Sequence, residues 1–332
     1  MTDLEKKLLP WQHAPWQALI ARLRAGRLPH ALLLSGARGL GKRHFAGAFA
    51  QAVLCTQPHA DGLACRQCRS CLLYRAGNHP DLHVLQPAEE GKAILIDQMR
   101  EMNAAVALKS QYGGYKIVII APAEQMNVAA ANSLLKTLEE PPAQSLLLLV
   151  THQAGTLPLT VRSRCQTVPF ARPDPQIALS WLKAQLGTGA DATELLAAAD
   201  GAPLHALALA EGGTLARRKA MLADFGKLVQ NQADPVAVAG AWLEGTPVEQ
   251  ALANLQSWCM DMIRLRSAAR PPVLANAGAA QSLYALAARF RLTDLYRRFD
   301  ETSEALRLVP RQANAQLLLE DVLLSWCGAT KQ

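Results

Sequence analysis

The sequence predicts an α/β domain, a parallel sheet covered by helices on both faces, followed by two all-helical segments. Three observations predict it. Short apolar runs alternate with helical patterns over the first half of the chain. A glycine-rich turn with the spacing of a phosphate-binding loop follows the first of those runs. Beyond "FARPDP" (Phe170–Pro175) the strand signal stops and only helical patterns remain. With 332 residues the chain is long enough for two or three domains with a sizeable core. Half of its residues are hydrophobic and only 5% are aromatic, and Ala and Leu dominate, which favours helices over β-sandwiches.

The elements follow in order. "HALLLSG" (His30–Gly36) reads as a buried strand, as do "DLHVL" (Asp81–Leu85), "KIVIIAP" (Lys116–Pro122) and "SLLLLVT" (Ser145–Thr151). "QTVPF" (Gln166–Phe170) is a weaker fifth. Between them lie helical patterns such as "ILIDQMREMNAAVALKS" and "NVAAANSLLKTLEE". Residues 1–170 are therefore expected to form the α/β domain. Residues 171–210 are expected to form a small helical unit, and residues 211–332 a longer all-helical block. Its last helix, "NAQLLLEDVLLSW", carries a broad apolar stripe with Glu320 and Asp321 on the other side.

The net charge of +7 permits contact with nucleic acid. No aromatic residue is regularly interleaved with the arginine-rich spots, so base stacking is not indicated. The N-terminal stretch has no long apolar core and no cleavage signal. The longest aliphatic run, Leu146–Val150, is far short of the roughly 20 residues that span a bilayer. The expectation is a cytoplasmic protein with reduced thiols, whose seven cysteines are not a disulfide framework.

"LLLSGARGLGKRHFAGAFA" has the G-x-x-x-x-G-K spacing of a phosphate loop. In such a loop, successive backbone N–H groups and a helix N-terminus face the phosphates. Gly36, Gly39 and Gly41 supply the freedom of the turn, and Lys42 would reach the β- and γ-phosphates. Hydrolysis asks for a Ser or Thr after the lysine, to hold Mg²⁺. Here that residue is Arg43, which has donors only and a positive charge. It also asks for an acid at the end of the third strand, where the sequence reads Ala121–Pro122–Ala123. The first acid is Glu124, expected on another side of the turn. Two metal-supporting positions are empty, which argues against hydrolysis.

After the first helix comes "CTQPHADGLACRQCRSC". Cys55, Cys65, Cys68 and Cys71 have spacings that close a tetrahedron around Zn²⁺, and four thiolates leave no open coordination position, so the expected metal is structural. His59 and His79 are expected to be bystanders, and redox chemistry of a C-x-x-C pair is the alternative. Cys165, Cys259 and Cys327 are isolated and read as core or near-core thiols.

A phosphate loop with a four-cysteine insert, then "NSLLKTLEEPP" (Asn132–Pro142), then "LLLLVTHQAGTLPLTVRSRCQTVPF" resembles the bacterial clamp-loader subunits, AAA+ proteins of the DNA polymerase III holoenzyme. The resemblance covers the whole chain and is strongest over Leu32–Phe170. It implies an AAA+ domain with a zinc-module insert at residues 55–71, then a helical lid, then a helical collar for oligomerisation. One kind of subunit in this family, gamma or tau, hydrolyses ATP. A second kind keeps the layout but has lost several hydrolytic residues, and the departures here resemble that kind. In the lid, the ATPases carry a phosphate-sensing arginine where this chain has Leu204 in "GAPLHAL". The resemblance implies that Arg164 of "SRC" points toward the ATP of a neighbouring subunit as an arginine finger. Thr151 falls at the first sensor position. The loop is then a retained scaffold, binding ATP or ADP weakly or not at all. The implied partners are the gamma or tau ATPase subunits and the delta subunit, with the sliding clamp and primed DNA reached through the complex. No polymerase activity is expected in this polypeptide itself. The alternatives are an active gamma-like ATPase and a zinc-containing DNA-binding protein on the same fold.

Overall fold

The computed structural model describes residues 7–89, 91–186, 191–211, 214–268, 274–309 and 314–327. The chain divides into two compact units, Met1–Ile177 and Ala178–Gln332. In the first unit the elements run α1 (His13–Arg24), β1 (Ala31–Ser35), α2 (Lys42–Leu54), α3 (Arg69–Arg75), β2 (Leu82–Leu85), α4 (Ile96–Ala107) and β3 (Lys116–Ile120). They continue with α5 (Val128–Glu139), β4 (Ser145–Thr151), α6 (Leu159–Arg162) and β5 (Gln166–Pro169).

All five expected strands form, in one parallel sheet of order β2-β3-β4-β1-β5. Strands β3 and β4 are buried at every residue, because a parallel sheet carries helices on both faces. On one face Ala31, Leu33, Val118, Ile120, Leu147 and Leu149 share a core with Met99 and Met102 of α4 and Leu134 and Leu138 of α5. On the other face α2 packs against β1, β3 and β4. Its Phe45 and Phe49 are fully buried, and Trp16 of α1 meets both rings edge-on with centroids 5.8 Å apart. Such pairs add about 0.5–1.5 kcal/mol beyond their buried area.

Parallel pairing fixes two chemically different edges. The register sets Ser35 beside Thr151 and Pro169, so the strands of this part of the sheet end together. The phosphate loop leaves β1 at that C-terminal edge. At the opposite edge the end of α5 is tied to the residue preceding β1 by a contact between His30 Nε2 and the Leu138 carbonyl at 3.1 Å.

The second unit is helical among the described residues. It contains most of α7 (Pro175–Leu186), then α8 (Ala192–Ala198), α9 (Pro203–Glu211), α10 (Thr214–Val229) and α11 (Pro235–Leu243). After these come α12 (Val248–Ser267), α13 (Ala280–Ala287), α14 (Leu292–Leu308) and α15 (Ala315–Ser325). Its described residues form one core spanning Ala178 to Leu209 and another spanning Met221 to Trp326. The larger core holds Trp242, Trp258 and Trp326, with Phe225 edge-on to Trp326 at 4.9 Å. The apolar stripe of α15 is broader than its core needs: Leu319, Val322 and Leu323 are buried, whereas Leu317 and Leu324 are exposed. Among the described residues no helix is long and apolar enough to cross a membrane.

Candidate functional site

The phosphate loop is built by close backbone approach. Gly36 has φ +152° and lies so near β5 that a Cβ on it would come within 2.3 Å of the Phe170 carbonyl oxygen. Gly41 caps α2 in the left-handed region at φ +77°. The outer side of the turn is braced from the N-terminal segment. Gln12, fully buried, donates from Nε2 to the Gly41 carbonyl at 2.8 Å, and Trp11 Nε1 donates to the Leu40 carbonyl at 3.0 Å.

Lys42 is 2% exposed, and its Nζ donates to the Gly36 and Ala37 carbonyls, both at 2.6 Å. Burial lowers its pKa to about 8, against the opposing pull of the Glu124 carboxylate. The exposed Arg43 donates to Gln86 Oε1, just past β2, at 2.6 Å. The position that would need a hydroxyl for a metal thus holds a tethered cation.

Glu124 departs from the sequence expectation. It sits on a tight turn, Ala123–Gln125, and its Oε1 accepts the His152 amide at 2.9 Å, one residue beyond β4. The carboxylate therefore stands at the same sheet edge as Lys42 rather than on another side of the turn. The physical reason is the part-buried His152 amide just past β4, which needs an acceptor where the strand ends. Glu124 Oε2 is buried without a hydrogen-bond partner. Thr151 is fully buried beside Ser35, and its Oγ1 accepts the Gln153 amide at 3.1 Å.

The four cysteines converge: the Sγ atoms of Cys55, Cys65, Cys68 and Cys71 all lie within 4.8 Å of one another. Cys55 and Cys65 are 3.5 Å apart and Cys55 and Cys68 3.9 Å, well beyond a disulfide bond of about 2.05 Å. Backbone amides aim at the sulfurs. The Cys65 amide donates to Cys55 Sγ and the Cys68 amide to Cys65 Sγ, each at 3.3 Å. Burial pushes the Cys71 thiol up, while at Cys68 the opposing effect of burial is outweighed by donors from Thr56 and Cys71, and the thiol falls to about 6. The cluster can hold a metal ion, and a dication there would deprotonate the thiols. His79 stands outside it with both ring nitrogens engaged. Nδ1 accepts the Asp81 amide at 3.1 Å, which leaves Nε2–H to donate to Ser70 Oγ at 2.9 Å. His59 is not among the grouped ligands either. Cys165 and Cys259 are buried, with thiols pushed up by burial to about 11 and about 12, and Cys327 is half-buried.

Arg164 lies between α6 and β5, two residues ahead of Gln166, which pairs with Leu32. It is thus at the N-terminal edge of the sheet, whereas its own phosphate loop is at the C-terminal edge. A strand of this length separates them by about 16 Å. The side chain is 37% exposed. Its Nη1 donates to the Thr160 carbonyl at 2.9 Å, and its Nη2 pairs with Glu139 Oε1, at the end of α5, at 2.7 Å.

The family profile described as DNA polymerase III, delta subunit, matches residues 11–174, and the profile for its C-terminal part matches residues 213–327. The DNA polymerase III subunit delta-prime of Pseudomonas aeruginosa is 35% identical over 325 residues, 97% of this chain and 98% of that protein. The chain belongs to the delta-prime family of DNA polymerase III subunits. The delta-prime subunit of Escherichia coli K12 is 39% identical over 216 residues, 64% of each chain. Among solved structures, a gamma subunit-related protein of DNA polymerase III from Thermotoga maritima aligns over 95% of this chain and 100% of its own, at 18% identity and a TM-score of 0.47.

Two features of this delta-prime family member were not read from its sequence. One is the return of Glu124 to the loop's edge. The other is the Glu139–Arg164 pair, whose partners are 25 positions apart. Glu139 and Arg164 each stood out as part of a motif, but no spacing rule joins the end of one helix to the residue after another.

Proposed function

We propose that this chain is the delta-prime subunit of a clamp loader, that it does not turn over ATP itself, and that it lends Arg164 to a neighbouring ATPase subunit. The observation that carries this reading is the position of Arg164. An exposed guanidinium at the N-terminal edge of the sheet is out of reach of phosphates held at the C-terminal edge of the same sheet. It serves the nucleotide of another chain. There, preorganised positive charge stabilises the negative charge developing on the γ-phosphate.

The loop supports the other half of the reading. Lys42 is occupied by its own loop's carbonyls, and Arg43 offers a metal no oxygen. The loop is a scaffold whose nucleotide affinity is weak or absent. The four thiols suit structural Zn²⁺. A tetrahedron with Zn–S bonds of about 2.3 Å needs sulfurs about 3.8 Å apart, near the separations within this cluster. Residues 1–170 then act as the AAA+ domain, residues 171–210 as a lid, and residues 211–332 as a collar joining gamma or tau and delta subunits. The assembly would place a sliding clamp on primed DNA. Glu124 is the one observation that favours a hydrolytic second reading, because it returns an acid to the loop's edge.

The test is ATP turnover by a reconstituted clamp loader with clamp and primed DNA. Arg164→Ala in this subunit is expected to lower turnover at the neighbouring site by ~10³-fold or more. Lys42→Ala is expected to leave turnover unchanged, and the lone subunit to be inactive. Turnover by the lone subunit that Lys42→Ala abolishes would overturn the reading in favour of the ATPase.

A further inference from the structure

We infer that Glu139 is a positioning residue for Arg164. Its carboxylate holds the guanidinium in the orientation in which it is presented to a neighbouring nucleotide. The inference deepens the lent-arginine reading and rests on it. Arginine has five N–H donors in a rigid planar fork. Two are engaged within the chain, one from Nη1 to the Thr160 carbonyl and one from Nη2 to Glu139 Oε1. These tethers come from different elements, the start of α6 and the end of α5, and together they fix both the position and the plane of the fork. The remaining donors are left for a ligand outside the chain.

Both anchors are themselves held. Asn127 caps the start of α5, its side chain accepting the Ala130 amide at 2.7 Å. Thr137 Oγ1 donates to Asn103 Oδ1 of α4 at 2.9 Å, and His30 contacts the Leu138 carbonyl. On the other side Val161 is buried in the core shared with α5, and the Arg164 amide donates to the Val161 carbonyl at 3.2 Å. Glu139 and Arg164 are 51% and 37% exposed, so the pair stands in water and adds little to stability. Its consequence is geometric. An untethered arginine must be ordered at each catalytic event, and a small misplacement of a charge-stabilising donor costs rate.

The experiment measures kcat and KM for ATP of the reconstituted clamp loader with clamp and primed DNA. The variants are Glu139→Ala, Glu139→Gln and Arg164→Ala, with Glu139→Ala also made in the Arg164→Ala background. Size-exclusion chromatography checks assembly. Glu139→Ala removes the tether and is expected to lower kcat by about 3- to 30-fold with KM little changed. Glu139→Gln keeps an acceptor oxygen and should retain most of the wild-type kcat. In the Arg164→Ala background the loss of Glu139 should have no further effect, since coupled residues are not additive. An undiminished kcat in Glu139→Ala, or an equal loss with and without Arg164, overturns the positioning role. A rise in kcat also overturns it, because Glu139 would then be restraining the arginine. If Arg164→Ala itself leaves kcat intact, the lent-arginine reading fails instead.

Discussion

Lys42 illustrates how one residue's chemistry depends on burial as much as on type. A lysine at the end of a phosphate-loop pattern is expected to point its charge at a ligand. Here the charge is held between two carbonyls of its own turn, and burial lowers its pKa from 10.5 to about 8. That shift is a stability statement. Between pH 8 and 10.5 the unfolded chain binds the proton and the folded chain does not, so folding becomes more favourable as pH rises through that window. Below pH 8 both states are protonated and the penalty is present in full. Lys42→Met removes the titration. The wild type should therefore gain about 2 kcal/mol relative to the variant between pH 7.5 and 10, read from urea midpoints of the two proteins at each pH. A stability difference that does not change with pH would mean that Lys42 is solvated in the folded protein.

At the scale of elements, α5 connects the legible part of the sequence to the illegible part. Its buried face, Ala130, Ala131, Leu134, Thr137 and Leu138, follows helical spacing, its start carries an Asn cap, and Pro141–Pro142 prevents continuation. Replacing the cap, Asn127→Ala, is expected to destabilise the protein by about 1 kcal/mol, measurable as a shift in the thermal midpoint. The strands were legible for a similar reason: runs such as Lys116–Ile120 and Ser145–Thr151 are apolar enough to be buried on both faces, and that pattern is local. The cysteine cluster was legible because its ligands lie within one insert. Contacts made where elements end were not. Glu124 turns back because an amide beyond β4 needs an acceptor, and Glu139 meets Arg164 because α5 packs on α6. Both depend on which element ends lie together, which follows from the strand order rather than from any spacing along the chain. Leu317 and Leu324 on α15 show the converse error, since helical spacing gave a stripe wider than the face that is buried.

At the scale of the whole molecule, the cysteine cluster and the helical cores belong to different compact units, and their stabilities are expected to be separable. The cysteine insert links α2 to α3, and the loop within it is fixed to α1. Trp16 Nε1 donates to the Asp61 carbonyl at 3.1 Å, Arg24 to the Ala60 carbonyl at 2.6 Å, and Gly62 sits where a Cβ would come within 2.7 Å of Ile20. The insert itself has a very small apolar core, Ala64 and the cysteines, too little to hold a chain of this length without a staple. Metal–thiolate bonds at the four cysteines would supply that staple, and such bonds require deprotonated sulfur. Chelation, or Cys71→Ser, is therefore expected to open residues 55–71 and loosen α1, while helices α10 to α15 keep their protection. Hydrogen exchange read peptide by peptide checks this: the loss of protection should be confined to the first unit and should appear without chelator as pH falls below that needed to keep the thiolates. Amide donors to the sulfur at Cys65 and donors from Thr56 and Cys71 at Cys68 already favour the thiolate at those two positions. Loss of protection across the larger helical core on chelation would instead mean that the two units fold as one cooperative body, with the metal contributing to the stability of both.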